Sequence, residues 1–166
     1  MNSPPVDRYT LADRAYPYAR HADQDAPTPA RHPVVIVGAG PVGVTLALDL
    51  VLKGVPVLVL DDQEGIRAGS RAICFAKRQL EILDRLGCGD RLLEKGVVWN
   101  LGKTFHRHEK VLEFNLLPED GHKYPAFINL QQPYFERFVL DRLQDLRAGG
   151  MAVDIRGSNR VDGLED

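Results

Sequence analysis

The stretch PVVIVGAGPVGVTLALDLVLKGVPVLVLD, residues 33–61, decides the fold. Val34-Val35-Ile36-Val37 is an all-apolar, β-branched run, the pattern of a parallel-sheet strand buried on both faces. It ends in Gly38-Ala39-Gly40-Pro41-Val42-Gly43, and a helical period follows. Val42, Leu46 and Leu50 share the predicted apolar stripe, with Ala47 and Val51 beside it; Thr45, Asp49 and Lys53 recur on the wet face. Gly54 stands where a helix-ending glycine belongs. Val55 to Leu60 is a second apolar run, with Pro56 near its start, where a strand tolerates proline. Strand, helix and strand in about 27 residues predict a right-handed βαβ unit.

The chemistry-bearing signal lies inside that unit. In Gly38-x-Gly40-x-x-Gly43, the first glycine allows a tight turn, the second lets backbone approach a pyrophosphate, and the third permits close helix–strand packing. A helix N-terminus offers free N–H groups and a partial positive charge to an anion. Pro41 loses nothing there, because its missing N–H would have no helical partner. Asp61 follows Gly43 by 18 residues, at the end of the second strand, where a carboxylate accepts hydrogen bonds from adenosine ribose hydroxyls. The site reads as a dinucleotide site rather than a ligand-free turn. NAD and FAD share the fingerprint. A nicotinamide-binding half continues directly into another βα unit, whereas here a long polar loop, a helix and an antiparallel segment follow, which favours FAD.

Outward from this core, the patterns vary. Residues 1–32 hold five of the eleven prolines among Arg, Asp and Ala, and read as a flexible arm. Tyr9, Tyr16 and Tyr18 are its candidates for docking on the folded body. Residues 33–166 form the folded part. Phe75 to Leu86 predicts a helix with Ala76, Leu80 and Leu83 on its apolar face, stopped by Gly87. Val97 to Phe105 and Lys110 to Leu116 predict two antiparallel strands, and Ala126 to Leu130 another short one. Pro133 to Arg147 predicts a helix with the stripe Phe135, Val139, Leu143 and Leu146, ended by Gly149-Gly150. Met151 to Ile155 and Asn159 to Leu164 read as strands. The fold class is α/β: a Rossmann-like parallel sheet with flanking helices and an antiparallel β segment.

Composition narrows the partners. The 21 Lys+Arg against 23 Asp+Glu leave a net charge of −2, which argues against nucleic acid or an anionic membrane as partner. No apolar run approaches the roughly 20 residues that span a bilayer. Cys74 and Cys88 are too few for a disulfide framework and read as free thiols of a cytoplasmic protein. His106 and His108, followed by Glu109, lack a further convergent ligand, so no metal site is expected.

Over residues 33–166 the sequence resembles the FAD-dependent aromatic-ring monooxygenases, especially the phenol and 3-(3-hydroxyphenyl)propionate hydroxylase-like branch. The carriers are HPVVIVGAGPVG, the acid of VLVLDDQ, the loop GSRAICFAKRQLEILDRLG, and NLQQPYFERF. The resemblance implies that Gly38, Ala39, Gly40, Pro41, Val42 and Gly43 line the FAD diphosphate. It implies that Asp61 holds the ribose, where the family more often has the longer Glu. Arg71 resembles the family's loop arginine that contacts the cofactor, and Gln132 its flavin-side glutamine. The implied activity is insertion of one oxygen atom from O2 into a small phenolic substrate, with NAD(P)H as the reductant. Family members run to several hundred residues, with a second cofactor motif, a third, and a substrate-covering sheet that have no counterpart here. The expectation is therefore the N-terminal portion of such an enzyme, inactive alone, with self-association or a complementing C-terminal half. No catalytic residue is identified. The rival readings are a non-catalytic dinucleotide-binding fragment, or half of a split protein, and an NAD(P)-dependent dehydrogenase.

Overall fold

A computed structural model describes residues 15–28, 30–66 and 73–165. Along the chain run β1 (Val34–Val37), α1 (Pro41–Leu52), β2 (Val57–Leu60), β3 (Cys74–Ala76), α2 (Lys77–Arg85), α3 (Gly89–Lys95) and β4 (Val97–Trp99). β5 (Leu101–His106), β6 (Glu109–Asn115), β7 (Phe127–Asn129), α4 (Gln132–Ala148) and β8 (Val153–Arg156) follow, and a single 3-10 turn, Ala22–Gln24, precedes them all. The described residues fall into two compact units, one within Met1–Gly69 and Pro133–Asp166, the other within Ser70–Gln132.

The first unit is built on a parallel sheet of order β1-β2-β8. Val34 pairs with Val57 and Val57 with Val153, so equivalent positions share a face across all three strands. β2 is central, and Val57, Leu58 and Val59 are all buried. β1 is at the end of the order, and this corrects the reading of a strand buried on both faces: Ile36 is buried, but Val35 is 48% and Val37 63% exposed. The apolar stripe of α1 is also corrected. Val44, Ala47, Leu48 and Val51 are buried, whereas Val42 and Leu46 are exposed. Nearly every residue of α1 is apolar, so periodicity did not choose its face; the close seating of Gly43 against Ile36 does. Gly54, at φ +77°, closes the helix: its N–H donates to the Val51 carbonyl and that of Val55 to Leu50, the paired bonds of a Schellman motif.

α4 buries Phe135, Phe138, Val139, Leu140 and Leu143, and Gly150 at φ +92° follows its end. Tyr16 is buried and Tyr18 exposed, while Tyr9 lies outside the described residues. Asn159 to Leu164, expected as a strand, form no regular element and gain no strand neighbour among the described residues.

The second unit holds an antiparallel sheet of order β3-β7-β4 and a hairpin, β5-β6. Phe75 pairs with Ile128 in this sheet, so the helix expected from Phe75 begins two residues later, at Lys77. Leu80, Leu83, Leu92 and Ile128 are fully buried and form its core. The expected strand Val97 to Phe105 is two strands broken at Asn100, whose side-chain oxygen accepts the Ala126 N–H at 3.2 Å.

Candidate functional site

The end of β1 and the start of α1 form a tight, glycine-dependent turn. The Gly38 N–H donates to the Leu60 carbonyl at 2.7 Å, extending the β1–β2 pairing by one bond. Gly38 itself has φ +100°, a conformation that side chains rarely adopt. Gly40 caps α1 with extended backbone, and Pro41 takes the first helical position. A Cβ placed on Gly40 would meet nothing within 4 Å, so the space over the turn is open to an approaching group. A Cβ on Gly43 would stand 1.9 Å from the Gly38 carbonyl oxygen and 3.3 Å from Ile36 Cγ2. The helix approaches the strand closely only because Gly43 has no side chain.

Asp61 faces this turn from the end of β2. Its Oδ2 accepts the Ala39 N–H at 2.5 Å, and its Oδ1 accepts the Gln63 N–H at 2.8 Å. The backbone around it is equally engaged: Asp61 N–H donates to the Arg156 carbonyl at 3.1 Å, and Asn159 N–H to the Asp61 carbonyl at 2.8 Å. The clasp on Ala39 had no signal in the sequence, because spacing places an acid near a ribose but says nothing of which amide it meets. A carboxylate offers about four acceptor sites, so two bonds to backbone leave capacity for hydroxyl donors.

The turn suits a diphosphate. The first amides of a helix have no intrahelical partner, and here they belong to Val42 and Gly43, since the helical pattern opens with Val44 N–H to Gly40 at 3.0 Å. The helix dipole adds partial positive charge at the same point. Pro41 supplies no donor, and the Val42 side chain is 83% exposed beside the turn. The structure therefore brings Gly38, Ala39, Gly40, Pro41, Val42, Gly43 and Asp61 together. Gln132 opens α4. Arg71, with the Gly69-Ser70-Arg71-Ala72 loop, lies outside the described residues. Cys74 is in β3 with its Sγ 3.0 Å from Asn129 Oδ1.

A parallel βαβ sheet with a glycine-rich turn at the carboxyl end of its first strand defines a Rossmann-like nucleotide-binding protein. The model of the FAD binding domain family matches residues 31–166, and the chain belongs to that family, whose cofactor is FAD. It is 33% identical over 128 residues to a rifampicin monooxygenase of Rhodococcus hoagii, covering 77% of this chain and 25% of that one. It is 27% identical over 135 residues to the para-nitrophenol 4-monooxygenase of Pseudomonas sp. (strain WBC-3), covering 80% and 32%. The crystal structure of p-nitrophenol 4-monooxygenase from Pseudomonas putida DLL-E4 superposes with a TM-score of 0.72 at 28% identity, covering 81% of this chain and 34% of that one. The chain thus spans between a quarter and about a third of the length of these relatives.

Proposed function

We propose that this chain is the FAD-binding part of a flavin-dependent aromatic hydroxylase. In this reading the backbone of Gly38, Ala39, Gly40, Pro41, Val42 and Gly43 lies along the diphosphate and Asp61 meets the adenosine ribose. Arg71 and Gln132 are assigned to the cofactor by the family resemblance alone. The carrying observation is the open space over Gly40 at the head of α1, beside an acid already fixed to the turn. Bound FAD would supply the redox chemistry that places one oxygen atom of O2 on a small phenolic ring, with NAD(P)H as reductant. This chain's residues bind and orient the dinucleotide, and substrate contacts belong to other parts of a whole enzyme. Among the described helices none is long and apolar enough to cross a membrane. A cytoplasmic setting fits the free thiols of Cys74 and Cys88.

The second reading, a part that needs a complementing segment or a second copy, is favoured by β1. Among the described residues β1 has β2 as its neighbour on one side, and Val35 and Val37 are exposed.

The test of the site is titration of the chain with FAD and with ADP. Gly40→Val is expected to abolish binding of both, because a branched side chain would fill the space the diphosphate needs. Unchanged affinity in that variant would remove the diphosphate assignment.

A further inference from the structure

We propose that residues 15–25, upstream of the region the family model matches, form a strap that holds the ribose-side turn of the dinucleotide site in shape. Tyr16 is its positioning residue and Asp23 its anchor. The proposal rests on the dinucleotide reading of the site above.

Three segments interlock at the carboxyl ends of β2 and β8. The Tyr16 N–H donates to the Glu64 carbonyl at 3.0 Å, and its hydroxyl donates to the Gly65 carbonyl at 3.1 Å. From the far side, Ser158 N–H donates to the Gln63 carbonyl at 3.1 Å and Ser158 Oγ to Glu64 Oε1 at 3.1 Å. The packing is close: a Cβ on Gly157 would stand 2.1 Å from the Tyr16 carbonyl oxygen and 2.8 Å from that of Gln63. Ser158 holds the left-handed φ of +53° in this turn, a strained state that persists only where the surroundings over-determine it. The turn so gripped begins at Asp61, whose carboxylate holds Ala39 of the glycine turn.

Asp23 fixes the other end of the strap. Its carboxylate is 2.7 Å from Arg156 Nη1, and Arg156 Nε is 2.7 Å from Asp154 Oδ2. The Arg156 side chain is only 11% exposed, so this pair is better shielded than an ordinary surface ion pair. Arg156 also accepts the Asp61 N–H through its backbone carbonyl. The strap thus reaches Asp61 by two routes, through Glu64–Gly65 and through Arg156.

The test uses the full chain with Tyr16→Ala, Tyr16→Phe and Asp23→Ala, read by amide exchange without ligand and by calorimetric titration with ADP. Tyr16→Ala and Asp23→Ala are expected to raise exchange at Ala39, Gln63, Ser158 and Asn159, and to weaken ADP binding about five- to tenfold. Tyr16→Phe keeps the ring and the backbone donor, and is expected to stay within about twofold of the parent. Exchange that rises only within residues 15–25, or uniformly through α1 and β2, overturns the strap. So does unchanged ADP affinity in a folded Tyr16→Ala. If that variant does not fold, Asp23→Ala decides in the same terms. A parent that binds no ADP overturns the dinucleotide reading and the strap's role in it together. A parent that binds, with variants that bind equally well, overturns the strap alone.

Discussion

At Gly43 a single added methyl would meet the Gly38 carbonyl oxygen at 1.9 Å, and neither partner is a flexible side chain that could move aside. Gly43→Ala is therefore expected to push α1 off β1 and cost about 1–3 kcal/mol, the usual range for overpacking, seen as a lowered melting temperature. A melt like the parent's would show that the helix and strand sit further apart than the structure has them. Asp61 poses a different question, because its proposed contact with the ribose has to be separated from its hold on the Ala39 and Gln63 amides. If it met only the ribose, Asp61→Ala would leave the ligand-free chain untouched. Because its carboxylate accepts the Ala39 and Gln63 amides, the same change is expected to lower ligand-free stability as well. It should also weaken ADP binding by about 1–3 kcal/mol, the scale of lost charge-assisted hydrogen bonds. Melts with and without ADP separate the two effects, and an unshifted ligand-free melt would dismiss the clasp. The demands on Gly38 and Gly43 were legible in the sequence, since a glycine's role follows from its lack of a side chain. The Ala39 clasp was not, because it depends on where β2 delivers a carboxylate in space.

Elements were legible where local pattern and tertiary partner agree. β1, α1 and β2 announce themselves because β-branched runs flank a helix with a glycine at each end. β3 did not, because Cys74-Phe75-Ala76 is too short to show a period and becomes a strand through β7, more than fifty residues away. α3 was missed for the same reason: seven residues give barely two turns of pattern. The junction of α2 and α3 carries a pH-dependent clasp. Asp84 lies in the last turn of α2, the end of a helix that disfavours a carboxylate. Lys123 Nζ meets it at 2.7 Å and also reaches Asp90, in the first turn of α3, at 3.3 Å. The hydrogen bond from Lys123 lowers the Asp84 pKa, and the same bond raises that of Lys123. A lowered carboxylate pKa gives stability that is present above the ordinary value of about 3.9 and is lost as pH falls through the folded value. A raised lysine pKa gives stability that is complete below about 10.4 and is lost as pH rises beyond it. The clasp is therefore expected to hold across neutral pH and to open in acid below about pH 4. Lys123→Ala should flatten the acid limb of a plot of melting temperature against pH, and an unaltered limb would show that other carboxylates govern it.

At the scale of the whole molecule, the parallel sheet has an open side among the described residues. β1 combines an outer edge of backbone donors and acceptors with Val35 and Val37 exposed on one face, and α1 adds Val42 and Leu46 to the exposed apolar surface. A strand edge of this kind is a template for another strand. Whatever pairs there would remove apolar area from water at about 25 cal/mol per Å2. The net charge of −2 offers little long-range repulsion between copies. The chain studied by itself is therefore expected to self-associate at micromolar concentration, sedimenting above its monomer mass of 18.5 kDa. Val37→Lys tests whether β1 is the surface responsible. Val37 is 63% exposed, so a lysine there leaves the buried contacts of Ile36 and Val59 in place and changes stability little. In an associated state the same ammonium would be enclosed without a partner, which is costly. The variant is expected to sediment near the monomer mass while melting close to the parent. If parent and variant associate alike, the exposed hairpin strands β5 and β6, with Phe105, Val111 and Leu112, become the better candidate surface. A parent that stays monomeric would mean that the open side of β1 is tolerated in water, and that its exposed valines do not drive association.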